Sequence, residues 1–270
     1  MTRDASATPP TIEFENVNFS IGGHHVLENV SFRLPRGGTT CIMGPSGVGK
    51  STILRLIIGL YRPASGDVRV DGRSIVHSPE GVRDEIRQRI GMVFQNGALF
   101  DSLTVGENVV YGSVEHGGLS FRDAEPIARQ YLQMVGLDPE FALDRLPDEL
   151  SVGMQRRASI ARALAFNEPS VLLYDEPTTG LDPISVETIT DIIVRLRAEL
   201  GVTGIVVTHE IAHALQVADR FIFLYDRAVG FDGTARDLAE SQHPPLVRFL
   251  EPFKQSVVAA FQTFKNGNAQ

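Results

Sequence analysis

From Thr11 to Ser20 and again from His25 to Leu34, apolar and polar residues alternate, with Gly22-Gly23 between the two runs. A period of two sets one face of each run against a core, which predicts an antiparallel hairpin. Thr39 to Met43 is a short β-branched, apolar run that reads as a strand, and Thr52 to Ile58 continues as a helix-like run that stops near Gly59. Pro63-Ala-Ser-Gly66 then turns the chain into a further short strand, Asp67–Val70, closed by Asp71-Gly72. The charged segment Pro79–Arg89 is predicted helical and leads into the apolar strand Ile90–Phe94.

Beyond Asn96 the pattern changes. Helix-like segments, Thr104–Tyr111 and about Arg122–Val135, alternate with Gly- and Pro-bearing connections, and Pro126 leaves the start of the second helix open. With the helix Ser151–Phe166, this predicts an inserted helical subdomain at about 96–166. Strand Val171–Tyr174, helix Ile184–Leu200, strand Gly204–Thr208, helix Ile211–Ala218 and strand Arg220–Leu224 follow in turn, an α/β rhythm that predicts a mainly parallel sheet. After His243-Pro-Pro245, Phe253, Val257, Phe261 and Phe264 recur at near-helical spacing with Val258 beside them. This predicts an amphipathic helical extension over 241–270, packed on its own domain, docked across a dimer or in contact with a membrane surface. Residues 1–10 are small, polar and proline-containing without an apolar core, the composition of a disordered lead rather than a signal peptide.

Composition narrows this picture only a little. With 270 residues, 43% hydrophobic and 21% charged, the chain is long enough for one large domain with a subdomain. A net charge of −8 argues against a general affinity for nucleic acid. Cys41 is the only cysteine, so an internal disulfide or a cysteine metal cluster is excluded, and its place in the Thr39–Met43 strand makes it a small buried hydrophobe. No uncharged apolar stretch approaches the roughly 18–20 residues that span a bilayer.

The chemistry centres on Gly44-Pro-Ser-Gly-Val-Gly-Lys-Ser-Thr52, which satisfies Gly-x-x-x-x-Gly-Lys-Ser between a predicted strand and a predicted helix. Gly44, Gly47 and Gly49 let backbone N–H groups converge on phosphate oxygens, and the helix start adds a favourable dipole. Lys50 would reach the β- and γ-phosphates and the Ser51 hydroxyl would ligate Mg²⁺. At the end of strand Val171–Tyr174 stand two carboxylates in succession. Asp175 is the candidate for the metal shell and Glu176 for the group that faces the attacking water.

Glu149-Leu-Ser-Val-Gly-Met154 resembles the Leu-Ser-Gly-Gly-Gln signature of ATP-binding-cassette (ABC) ATPases. Gln95 falls at the family's Q-loop glutamine, Gly180-Leu-Asp182 at its D-loop and His209 at its switch histidine. Taken singly, Ser151 is an ordinary helix N-cap, His209 a strand-end histidine and Gln95 a surface polar residue; their joint order carries the resemblance, over roughly Ile12 to Glu240. It implies an α/β P-loop NTPase (RecA-like) core with a mainly parallel sheet, an N-terminal antiparallel β subdomain and the helical insertion, in an ATPase domain at 11–240. It implies that Gly44, Pro45, Ser46, Gly47, Val48, Gly49, Lys50, Ser51 and Thr52 bind ATP. Ser51, Gln95 and Asp175 then serve Mg²⁺, Glu176 polarises water and His209 contacts the γ-phosphate. Ser151 and Gly153, with Asp182 of the D-loop, would complete the nucleotide site of a second copy in a head-to-tail dimer.

Two departures are informative. Val152 replaces the first signature glycine and Met154 the glutamine, so a β-branched side chain lies at the helix start that meets a partner's nucleotide. Ile21 stands where the family carries an adenine-stacking aromatic, which leaves apolar contact and weaker base selectivity. Together with Phe94–Asn108 and Leu181-Asp-Pro-Ile184, these features look most like the ATPase subunit of Mla/Mce-type lipid transporters. That implies a cytoplasmic dimer, peripheral on the inner membrane beneath a separate permease and linked to a lipid-binding Mce-type protein. Ala98–Leu103 is the docking candidate. Two ABC rivals remain: the ATPase of a polar-solute importer shares every catalytic motif, while a soluble ABC protein acting on nucleic acid expects two cassettes or a long coiled coil. Outside the family, a simple P-loop kinase has no use for the signature helix or His209.

Overall fold

The computed structural model describes residues 11–254. The lead 1–10 and the tail 255–270, with Val257, Val258, Phe261 and Phe264 of the predicted extension, lie outside the described residues. In chain order, β1 (Ile12–Ile21) and β2 (His24–Leu34) precede β3 (Thr39–Met43), α1 (Lys50–Ile57), β4 (Ser65–Val70), β5 (Arg73–Ser74), α2 (Glu80–Arg87) and β6 (Ile90–Val93). There follow α3 (Val105–Glu115), α4 (Phe121–Met134), α5 (Pro139–Ala142), α6 (Val152–Ala165), β7 (Val171–Asp175) and α7 (Pro183–Leu200). The described chain closes with β8 (Thr203–Val207), α8 (Ile211–Val217), β9 (Arg220–Tyr225), β10 (Ala228–Thr234), α9 (Ala235–Glu240) and α10 (Pro244–Leu250). The fold is α/β, with parallel strands, an antiparallel N-terminal layer and helices α3–α6 inserted between β6 and β7. Two compact units are formed, one from the residues up to Arg87 together with those from Val202 onward, the other from Gln88–Gly201.

In the first unit the predicted hairpin is present: β1 and β2 pair antiparallel from Ile12 opposite Leu34 to Ile21 opposite His24. Alternation buries Ile12 and Phe14, an irregularity at left-handed Asn16 (φ 49°) shifts the register of β1, and Val17 and Phe19 are buried beyond it; Phe14 stacks on Phe32 across the ladder at 4.4 Å between ring centroids. The other edge of β1 pairs with β4, and β5 extends the layer to order β2-β1-β4-β5. A second sheet places β3 between β8 and β9, both parallel to it, with β10 antiparallel to β9. All five residues of β3 and of β8 are buried, Cys41 among them, as expected of strands covered on both faces.

The second unit is built on parallel β6 and β7, in register from Ile90 opposite Val171 to Val93 opposite Tyr174. Against them lie the inserted helices, with Val109, Leu132, Ile160 and Leu164 in the core. Tyr174 is fully buried, and desolvation holds its phenol well above the usual range, so it stays neutral.

Helix ends differ from the expectation for local reasons. α1 begins at Lys50, two residues before Thr52, because Gly49 serves as its N-cap at φ 105°. Thr104 caps α3 rather than opening it: its hydroxyl accepts from Glu107 N at 3.2 Å while Glu107 Oε2 accepts from Thr104 N at 2.8 Å. Pro126 sits inside α4, whose start is fixed by the Ser120 cap, so the proline removes one backbone donor without ending the helix. β10 escapes the pattern reading altogether, since its seven residues include two glycines and an aspartate and none is fully buried.

Candidate functional site

The phosphate loop lies in the first unit, between β3 and α1. At Gly44 φ is 150°, and a Cβ there would overlap the carbonyl oxygen of Leu224 on β9, so only glycine lets β3 turn out of the sheet at this point. Gly49 is wedged in turn against the side chains of Val26 and Leu27, each 3.0 Å from where a Cβ would stand. The tip at Pro45, Ser46 and Gly47 is exposed, and Gly47 faces open space. Lys50 is buried, its Nζ donating to the carbonyls of Gly44 at 3.0 Å and Pro45 at 3.2 Å, which folds the amine back over the loop. Ser51 and Thr52 occupy the first turn of α1, whose N-terminus has no side-chain cap and no acidic residue. An open loop tip, a buried amine and an uncapped helix start fit a polyphosphate. His209 is exposed two residues past the end of β8. Because Ile42 pairs in parallel with Val207, His209 leaves the sheet at the same end as Gly44.

In the second unit the carboxylates stand where expected. Asp175 is the last residue of β7 and 4% exposed; Glu176 is 8% exposed and holds a left-handed φ of 49°. A non-glycine residue in this region costs about 1–2 kcal/mol, and the twist turns the Glu176 carboxylate out of the alternation of the strand. Thr179 Oγ1 donates to Glu176 Oε2 at 3.0 Å and fixes it further. Sequence reading missed Thr179; its only signal is the three-residue spacing from a turn carboxylate. Gln95, exposed, follows β6 by two residues, and the parallel register of Val93 with Tyr174 sets it opposite Glu176 at the same strand ends.

The signature segment is held by its own unit. Ser151 is the N-cap of α6, accepting from Met154 N at 3.3 Å, and it remains exposed. Gln155 Nε2 donates to Pro147 O at 2.8 Å and Leu150 O at 3.0 Å, tying down the approach to the cap. Val152 is 57% exposed, an apolar side chain left on the surface beside Ser151. Gly153 is buried, and a Cβ there would overlap Ser185 Oγ. Ser185 in turn donates its hydroxyl at 2.6 Å and its backbone N–H at 3.0 Å to Asp182, the N-cap of α7, and these bonds hold the Asp182 carboxyl below the ordinary range. The structure therefore brings Ser151, Gly153 and Asp182 together at the facing starts of α6 and α7.

The structure thus carries a glycine loop between strand and helix, a twisted Asp-Glu strand end and a serine-capped helix. A family profile for ABC transporters matches residues 27–179. The chain belongs to the ABC transporter family. Among ABC relatives, the intermembrane phospholipid transport system ATP-binding protein MlaF of Haemophilus influenzae is 40% identical over 89% of this chain and 90% of its own. The glutamine transport ATP-binding protein GlnQ of Escherichia coli is 42% identical over 91% of this chain and 99% of its own. A solved dimeric ATP-binding cassette in a post-hydrolysis state, bound to ADP and Pi, is 36% identical, with a TM-score of 0.74 over 83% of this chain and 98% of that one. The fold is the P-loop NTPase fold of ABC cassettes, and the chain is an ATPase of that family. Among the described residues no helix is long and apolar enough to cross a membrane.

The packing at Gly153 gives a prediction separate from nucleotide. Gly153→Ala should destabilise the chain by about 1–3 kcal/mol through overpacking in denaturant unfolding without ATP, and adding Ser185→Gly should recover part of the loss. Unchanged stability of Gly153→Ala would contradict the close approach.

Proposed function

We propose that this ABC ATPase powers the transport of phospholipid or another hydrophobic molecule, as a dimer on the cytoplasmic face of the inner membrane beneath a separate permease and linked to a lipid-binding Mce-type protein. The supporting observation is the match to MlaF along nearly the whole of both chains, joined by Met154 in the signature and by Ile21, half exposed at the end of β1 where an aromatic would stack on adenine. The similarly extensive match to GlnQ favours a second reading, an amino-acid importer with the same hydrolytic chemistry.

The roles proposed for each part draw support from its geometry. The loop from Gly44 to Thr52 cradles the phosphates of ATP and Lys50 neutralises them. The Ser51 hydroxyl, the Gln95 side-chain oxygen and the Asp175 carboxylate are hard oxygen donors suited to Mg²⁺, which would neutralise phosphate charge when bound. Glu176, held by Thr179, accepts a proton from the attacking water, and His209 donates a hydrogen bond toward the γ-phosphate. The second copy supplies Ser151, the free N–H groups at the start of α6 and its Asp182 segment, so each site is completed only on dimerisation. Within one copy the helical insertion at about 96–166 carries the signature, and Ala98–Leu103 is the segment that meets the permease.

In Glu176→Gln the amide cannot take the proton, so turnover should fall by about 10²-fold or more while ATP stays bound and dimer accumulates in size-exclusion chromatography; normal turnover would contradict the role. Mass spectrometry of the membrane complex purified through a tag on the full chain should find co-purified phospholipid. ATPase stimulation by glutamine or another amino acid, with no lipid retained, would favour the importer reading instead.

A further inference from the structure

Between β9 and β10 the chain reverses through only two residues, Asp226 and Arg227, since Tyr225 pairs directly with Ala228. Both stand at positive φ, 46° and 66°. A two-residue hairpin turn of this kind favours Asn-Gly or Asp-Gly, because glycine carries no Cβ to resist the left-handed region. Asp226 suits its position, but arginine is strained at the second. A strained backbone held in a folded chain points to a use for the side chain it carries.

Arg227 Nη1 lies 3.0 Å from Glu28 Oε1 on β2, nearer than the 3.7 Å from its Nη2 to Asp226 Oδ1. The Arg227 carbonyl also accepts from Glu28 N at 2.9 Å. Since β2 and β9 belong to different sheets, the pair bridges the two. Each sheet presses on the phosphate loop close to that bridge. Leu224, three residues before Arg227, sets its carbonyl against Gly44 at the start of the loop, while Val26 and Leu27, just before Glu28, pack against Gly49 at its end. Both ends of the loop are thus gripped by segments that Glu28 and Arg227 tie together.

We infer that Arg227 is a positioning residue for nucleotide binding: paired with Glu28, it braces β2 against the β9–β10 turn and holds both ends of the Gly44–Thr52 loop in the geometry that receives phosphates. The brace orders the loop before binding, so its loss weakens affinity and leaves the hydrolytic step, which belongs to other residues, unchanged. The two side chains are 43% and 47% exposed, so solvent screens the pair and keeps the effect small. The inference rests on the reading that this loop takes the phosphates of ATP.

The test titrates ADP, which is not hydrolysed, into the full chain by calorimetry and follows urea unfolding of the same protein. Arg227→Gly relieves the turn and removes the brace. Its Kd for ADP rises by about two- to fivefold, its urea midpoint stays at or above that of wild type, and kcat at saturating ATP stays within about twofold. Glu28→Gln, which leaves the turn as it is, raises the Kd by a similar factor, and the double variant goes no further than either single one. Tighter ADP binding by Glu28→Gln marks a charge effect on the phosphates and overturns the brace. Unchanged affinity in both single variants overturns it too, as does a fall in the Arg227→Gly midpoint that accompanies the lost affinity. Lys50→Ala binds ADP more weakly than wild type; equal affinity there overturns the phosphate-loop reading itself, and the brace falls with it.

Discussion

At Gly44 the backbone passes so close to the carbonyl of Leu224 that no side chain fits, and the proposed phosphate site depends on that contact. It lets β3 leave the sheet abruptly, which sets Lys50 and Ser51 in the first turn of α1 and leaves Pro45 to Gly47 open. The bonds from Lys50 to Gly44 and Pro45 fold the amine over the loop, which in the proposed site leaves less ordering to be done when phosphates bind. A glycine dictated by packing against β9 is thus also the residue on which the proposed cradle depends.

The same economy recurs in the second unit. Gly153 satisfies the signature pattern, yet its immediate reason for being glycine is Ser185, which occupies the space a Cβ would need. Ser185 also holds Asp182 by hydrogen bonds, so the starts of α6 and α7 pack closely at Gly153, with Ser151 and Val152 exposed beside that contact. Val152 is accommodated because it points to solvent and leaves that packing alone. Its consequence falls on whatever meets this surface, which in the proposed dimer is the nucleotide of the other copy.

Legibility in the sequence followed the range of the forces. Alternation in β1 and β2 and the continuous apolar runs of β3, β7 and β8 are local consequences of burial, and they were readable. The placement of the Gly44–Ser51 loop between strand and helix, and of Asp175-Glu176 at a strand end, was readable because the chemistry proposed for them demands particular residue types at fixed spacing. Half-buried β10 carries little hydrophobic pattern, and the left-handed turn at Glu176 has no residue-type signal. The hydrogen bonds that Arg156, Ser159 and Arg162 of α6 donate to the backbone carbonyls of Phe94, Gly97 and Ala98 were invisible, because any side chain can overlie a carbonyl about sixty residues upstream. Thr179 was hidden for a similar reason, since a lone threonine in a turn has many uses.

The account turns on two copies each lending half of a hydrolytic site, and mixing two inactive chains measures this directly. Lys50→Ala spoils the cradle and Ser151→Ala the signature half. In a mixed dimer one site receives both defects and the other receives neither. ATPase assays on the two chains alone and on an equimolar mixture should show turnover reappearing in the mixture, approaching about a quarter of wild type under random pairing. Turnover that merely averages the two inactive chains would contradict the shared site.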